Sequence, residues 1–181
     1  MTDFPWFKNY PEGTPNEIGP YEYSSLIEMF DRTCEKYSDQ VAFENFGVKM
    51  TFRQLNDHVT HFAAYLQEEL GLKKGDRIAI QMPNLLQFPV AFFGAIKAGL
   101  IAVNTNPLYT PPEMKHQFVD AGVSAVVIVS NFAKQLEAIK DEIPAKHIIV
   151  TNMGDLMGTV KGGIMDFVVK YVKKIVPSYH I

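Results

Sequence analysis

From Gly75 onward the sequence alternates strand-like runs, short polar loops and helix-like segments. This alternation predicts an α/β fold, with a mostly parallel sheet covered by helices on both faces. Helix-start signatures recur where that pattern needs them, and two short strand-like runs divided by Gly47 predict a small hairpin near the N-terminus. At 181 residues and 47% apolar content, the chain can bury a substantial core as one domain or one large subdomain.

The elements follow in order. After a proline-rich lead (Pro5, Pro11, Pro15, Pro20), Ser25 and Glu28 form a capping box that opens a helix with Leu26, Met29, Phe30 and Cys34 on its apolar face. Val41 to Phe46 and Val48 to Met50 read as the hairpin strands. Thr51 and Gln54 cap a second helix with Leu55, Val59, Phe62, Leu66 and Leu70 as its stripe and Gly71 as its stop. Arg77 to Met82 is a strand, Gln87 to Ala98 a buried helix, and Leu100 to Val103 the next strand, closed by the polar loop Asn104 to Pro107. Thr110-Pro111-Pro112-Glu113 joins an N-cap, first-turn prolines and a capping-box glutamate, and its helix runs to Gly122. Ser124 to Val129 is a β-branched strand, Phe132 to Glu142 a helix stopped near Pro144, and His147 to Thr151 a further strand.

Leu85 to Val103 is about as long as a membrane span, but Gln87, Pro89 and Lys97 interrupt it and Gly99 divides it, so a buried helix followed by a strand is expected. From Val160 the apolar residues Ile164, Phe167, Val168, Tyr171, Val172, Ile175 and Val176 share helical spacing, and Lys161, Lys170, Lys173 and Lys174 make the segment basic. Such a helix either lies on an anionic membrane surface or packs on protein with its lysines in water; packing is the plainer reading. The expected organisation is a lead over residues 1–22, an α/β subdomain over 23–157 and the basic amphipathic helix over 158–181.

Net charge is −3 with scattered basic residues, which argues against a nucleic-acid partner. The single cysteine, Cys34, excludes an internal disulfide and a multi-cysteine zinc site, and the start carries no signal-peptide pattern; a cytoplasmic protein is expected.

In parallel sheets ligands bind beyond the carboxyl ends of the strands, which directs attention to Pro83-Asn84, Asn104 to Pro107, Ser130-Asn131 and Thr151-Asn152. These loops offer amides and hydroxyls, but no carboxylate pair, activated nucleophile or metal cluster, and their asparagines read first as turn-formers. Neither G-x-x-x-x-G-K-[ST] nor G-x-G-x-x-G occurs, and the adjacent Gly162-Gly163 reads as a hinge. His58 and His61 sit three apart on the second helix without an evident third ligand, so they read as solvent-facing.

Met50-Thr51-Phe52-Arg53-Gln54-Leu55 and Ile96-Lys97-Ala98-Gly99-Leu100-Ile101-Ala102-Val103-Asn104-Thr105-Asn106-Pro107 resemble, in the right order, the first two core motifs of adenylate-forming enzymes. Gly75 to Asn84, Asn106 to Thr110, the lead Asn9-Tyr10-Pro11 and the closing Val176 to His180 resemble bacterial long-chain fatty acid–CoA ligases in particular. The resemblance implies the N-terminal subdomain of such a ligase. Full-length members make an acyl-adenylate from fatty acid and ATP and pass the acyl group to coenzyme A. They use Mg2+, a Ser/Thr/Gly-rich phosphate loop, a metal-holding glutamate and a C-terminal lysine, all expected beyond Ile181. The chain itself is then architectural and catalytically silent, with no catalytic residue, no metal site and no bound cofactor of its own, and Ile181 is expected to be a boundary within a longer chain.

The ligand candidates are Asn84, Asn106 and Tyr109 at strand ends, and Lys134 toward coenzyme A phosphates. Implied partners are fatty acid, ATP, coenzyme A, the rest of the same chain and, since relatives often pair through this part, a second copy. Contact of the basic helix with the inner face of the membrane stays open. So do two rival readings, a freestanding binding module for membrane or small ligand and a regulatory nucleotide binder.

Overall fold

The computed structural model describes residues 4–20 and 22–181; Met1 to Asp3, part of the lead without a signal pattern, fall outside it, as does Tyr21. Helix α1 (Leu26–Lys36) is capped by Ser25, whose side chain accepts from the Glu28 amide at 3.1 Å. The reciprocal half of the expected capping box goes elsewhere: the Glu28 carboxylate accepts from the Ser24 amide at 2.8 Å and from its hydroxyl. Phe30 and Cys34 are buried as expected, whereas Leu26 and Met29 stay substantially exposed because only one edge of the helix meets protein.

Strands β1 (Val41–Asn45) and β2 (Val48–Thr51) pair antiparallel, with Asn45 opposite Val48, so Phe46 and Gly47 alone make the turn. Both have positive φ, 50° and 69°, as a primed two-residue turn demands. Helix α2 (Phe52–Ala64) carries both halves of the Thr51–Gln54 capping box and runs into a wider π-helical turn, Tyr65–Glu69.

A four-stranded sheet follows. Its strands are β3 (Arg77–Gln81), β4 (Ile101–Thr105), β5 (Ala125–Val129) and β6 (His147–Thr151), all parallel, in the spatial order β4-β3-β5-β6. Between them lie α3 (Gln87–Lys97), α4 (Pro111–Ala121) and α5 (Ala133–Glu137). β4 runs two residues past the expected end because Asn104 and Thr105 pair with Ile80 and Gln81. The expected Phe132–Glu142 helix is broken, with 3₁₀ turns at Ser130–Phe132 and Lys140–Glu142 flanking the short α5. Ala133, Leu136 and Ile139 of this stretch are buried all the same.

The core divides by strand parity. Ile78, Ile80, Ala125 and Val127 face α2 and α3, meeting Ala63, Leu66, Ala91 and Ala95. Ala79, Val126 and Ile128 face the other way, onto Met114 and Phe118 of α4 and Leu136 of α5. A third cluster joins α1, β2, α2 and Leu86, with Phe30 stacked on Phe93 at 4.3 Å between ring centres. The chain thus has two helical layers around the sheet and an outer layer of α1 and the hairpin. No described helix is long and apolar enough to cross a membrane, and Leu85–Val103 is divided between α3 and β4 as expected.

Helix α6 (Thr159–Phe167) continues as a π-helical turn, Val168–Val172, and Lys174 at φ 53° ends it, so Ile175 and Val176 lie beyond the helix. Gly162 does not act as a hinge: it is the contact point of α6 with the turn after β6. A Cβ on Gly154 would lie 2.3 Å from the Gly162 carbonyl oxygen, whereas one on Gly163 would meet nothing within 4 Å. Gly154→Ala should therefore destabilise the fold by about 1–3 kcal/mol through overpacking. Gly163→Ala should leave stability unchanged or raise it by up to about 1 kcal/mol, and urea unfolding of both variants checks the pair.

Candidate functional site at the carboxyl edge of the sheet

The strand order places the reversal of chain direction between β3 and β5, since β3 leads to β4 on one side and the chain then crosses to β5 on the other. In such sheets the crevice for a ligand opens outside the carboxyl ends of the strands flanking that point. Here those ends carry buried polar side chains in otherwise apolar strands. Gln81, fully buried, donates from Nε2 to the Asn106 carbonyl at 3.3 Å, tying the loop after β4 to the end of β3, and its Oε1 has no partner. Gln87, in the first turn of α3, donates from Nε2 to the Asn152 carbonyl at 2.7 Å and so ties the start of α3 to the loop after β6. Ser130 is buried at the end of β5.

A cavity of about 350 Å³ lies at this edge, between α6 and the returning tail, where Ser130, Asn152, Asp166, Lys170, Tyr179 and His180 line it. Two side chains help to hold the tail: Asn131 Nδ2 donates to the Ile175 carbonyl at 3.2 Å, and Lys140 Nζ to the His180 carbonyl at 2.9 Å. The carboxylates nearby are engaged by the backbone. Asp155 accepts from the Asn152 amide and the Thr151 hydroxyl, both at 2.8 Å, and Asp166 accepts from the Gly154 amide at 2.9 Å.

The four residues singled out from the sequence are not brought together around that cavity. Asn84 borders a separate hollow with Asn45 and Leu85, and its carbonyl accepts from Asn45 Nδ2 at 3.2 Å, which joins the hairpin to the end of β3. Asn106 acts as a turn-former, its Oδ1 accepting from the Leu108 amide at 3.0 Å and its carbonyl from the Tyr109 amide at 3.1 Å. Tyr109 packs half-buried beside the α4 core cluster. Lys134, on α5, pairs with Glu137 at 2.8 Å, and that hydrogen bond holds the Glu137 carboxyl below its ordinary range. The sequence reading gave Gln81 no mention and Gln87 only the part of a polar break in an apolar run, although a glutamine closing an apolar strand and another opening an apolar helix were visible as departures from their surroundings.

Cys34 lies under α1, buried, and burial with help from Asp31 pushes its thiol up to about 11, so it stays protonated at neutral pH. His58 and His61 are exposed, and among the described residues no three His, Cys, Asp or Glu side chains converge as a metal site. These residues therefore do not fit Mg2+.

The sequence matches the AMP-binding enzyme family over residues 30–167. The chain belongs to that family. It is 55% identical over 97% of its length to the long-chain-fatty-acid–CoA ligase of Escherichia coli O6:H1 and 49% identical over the same share to that of Haemophilus influenzae. The chain spans about a third of each of these relatives, 31% of their length. Among solved structures, a Mycobacterium tuberculosis fatty acyl CoA synthetase superposes with a TM-score of 0.64 at 29% identity, over 68% of this chain and 26% of that one. An anthranilate CoA ligase in complex with anthranoyl-AMP superposes at 0.66 and 25% identity, over 69% and 24% of the two chains. The α/β architecture expected from the sequence, a mostly parallel sheet with a small hairpin, is the one this member of the family adopts.

Two outcomes are expected. Gln87→Leu removes the shortest hydrogen bond to the Asn152 carbonyl and should cost about 1 kcal/mol, read by urea unfolding. Cys34 should resist a thiol-disulfide reagent at pH 8 in the folded chain and react at once in urea. Because its folded pKa lies above the unfolded 9.0, the unfolded state loses the proton first; stability should be intact below pH 9 and fall by up to about 3 kcal/mol as pH rises toward 11.

Proposed function

We propose that this chain is the N-terminal part of a long-chain fatty acid–CoA ligase, and that its own role is architectural. The observation that carries this reading is the 55% identity, sustained over 97% of the chain, to a protein bearing that activity in its name. The parent reaction would join a fatty acid to ATP as an acyl-adenylate and then transfer the acyl group to coenzyme A. The 181 residues contain no glycine-rich phosphate loop, and the carboxylates at the sheet edge already hold backbone amides. Preorganised donors for the developing phosphoryl charge, and the Mg2+ site, would come from residues outside this segment.

In this reading residues 23–157 supply one sheet of the scaffold, and 158–181 lead toward the rest of the protein. The carboxyl-edge loops carrying Asn84, Asn106 and Tyr109 face the complementary half, held in place by Gln81 and Gln87. Lys134, paired with Glu137, would reach coenzyme A phosphates only after exchanging partners.

The test is a comparison of two polypeptides from the same gene. The 181-residue chain should release no pyrophosphate from ATP in the presence of a long-chain fatty acid, and the longer product should form the acyl-CoA thioester. Turnover by the short chain would contradict the architectural role. A longer product without ligase activity would contradict the family activity, and a stop codon after Ile181 would favour a freestanding binding module. Micromolar ATP affinity in the short chain, read by calorimetry, would favour a nucleotide binder.

A further inference from the structure

Helix α5 and the turn after it present a row of charged side chains to the tail. Ala133, Leu136 and Ile139 are buried, and Lys134, Glu137 and Lys140 follow each of them by one position, so that lysine, glutamate and lysine stand at the same three-residue spacing. Lys134 Nζ donates to the Glu137 carboxylate at 2.8 Å, and Lys140 Nζ to the His180 carbonyl at 2.9 Å. Glu137 meets His180 as well. Its carboxyl is held below the ordinary range by Lys134 first, and further by the imidazole and the backbone amide of His180. The His180 backbone is thus gripped by a carboxylate at its N–H and an ammonium at its C=O, and Asn131 Nδ2 holds the Ile175 carbonyl at 3.2 Å at the other end of the tail.

Little else holds this segment. Among the described residues no backbone–backbone hydrogen bond reaches 176–181, and none of its side chains joins the three core clusters. Val176 and Tyr179 are half-buried, whereas Pro177, Ser178 and His180 are exposed. A segment with so few buried apolar contacts sits at the low end of local stability. What it covers is the cavity of about 350 Å³ at the sheet edge: Ser130, 1% exposed, and Asn152 lie on one side of that space and residues 176–180 on the other.

We propose that residues 176–180 are a strap over the β5 and β6 ends of the sheet, that Glu137 and Lys140 are its catch, and that Lys134 is freed when the strap lifts. Closed, the strap fixes Glu137 between an ammonium and an amide and keeps Lys134 engaged. Open, Glu137 stands in water, where its pair with Lys134 becomes an ordinary exposed contact that contributes little, and Ser130 is uncovered. Both changes belong to one equilibrium, so whatever biases one biases the other. A strap held by three side chains also shifts readily: losing one charge-assisted hydrogen bond changes its closed-to-open ratio about tenfold. In the ligase reading, strap opening is the step that frees Lys134 for a phosphate; the strap itself stands without that reading.

The experiment places a reporter under the strap and reads Lys134 separately. In the 181-residue chain, the thiol of Ser130→Cys should react with a thiol-disulfide reagent at pH 8 at least about tenfold more slowly than in urea, read by mass spectrometry at that position. Adding Glu137→Gln or Lys140→Gln should speed the reaction about tenfold while leaving the urea midpoint unchanged. Lys140→Gln does not touch the Lys134–Glu137 pair, so it tests the coupling: acetic anhydride should acetylate Lys134 about threefold faster in Lys140→Gln than in the wild type. That measurement needs no reporter and holds even if Ser130→Cys fails to fold. The longer product of the same gene should give the same ranking. A reporter as reactive as in urea, in either polypeptide, would mean that no strap is closed, and unchanged labelling in both variants would remove the catch. A urea midpoint that falls in step with the labelling would assign the exposure to global unfolding, and Lys134 acetylation unmoved by Lys140→Gln would break the coupling. Each of these four outcomes overturns the proposal.

Discussion

Strand β5 has no face that water can reach. All five of its residues, Ala125 to Val129, are buried, and a parallel strand in that condition must be covered by helices on both sides. Each Val or Ile side chain so placed is worth roughly 1.5–3 kcal/mol relative to exposure, and that return depends on α2 and α3 lying on one face while α4 and α5 lie on the other. The strand order β4-β3-β5-β6 is the arrangement that sends the crossovers to opposite faces. The same order opens the carboxyl edge between β3 and β5.

A sheet covered on both faces leaves its polar termini to be satisfied at the edge. Gln81 and Gln87 do this by reaching from one strand's end to the loop of another, to the Asn106 and Asn152 carbonyls. Asp155 and Asp166 do it by accepting backbone amides. These groups fix where the loops stand. A carboxylate engaged in this way is poorly placed to receive a proton or a metal.

Much of this was legible in the sequence because local signals and global packing agree. Thr51 with Gln54 and Thr110 with Glu113 announced helix starts that the structure keeps in both halves of their capping boxes. The hairpin, all four sheet strands and the burial of Cys34 followed from pattern in the same way. The misreadings share one cause, which is that periodicity marks a face without naming what covers it. Leu26 and Met29 are spaced to be buried but find little to bury against, and the buried Ala133, Leu136 and Ile139 continue one spacing across the end of α5, so the pattern does not show where the helix breaks. The contact of Gln87 with the Asn152 carbonyl spans 65 positions and left no local trace. Of the ligand candidates, Asn106 was legible as a turn-former, but no pattern could tell that Lys134 would find Glu137.

The tail shows the limit most clearly. Its apolar stripe was read from the sequence as the packing face, yet the residues that touch the domain are Gly162, Met165 and Val169, a stripe containing a glycine and therefore weak in any hydropathy profile. Gly162 and Gly154 approach so closely that neither tolerates a Cβ, and that approach sets the rotation of α6 about its axis. Once Gly162 is inward, three- and four-residue spacing obliges Ile164, Phe167 and Tyr171 to point outward. The outward stripe therefore follows from how closely the backbones must meet at Gly154, and a bulkier residue there would turn those side chains as well as loosen the contact.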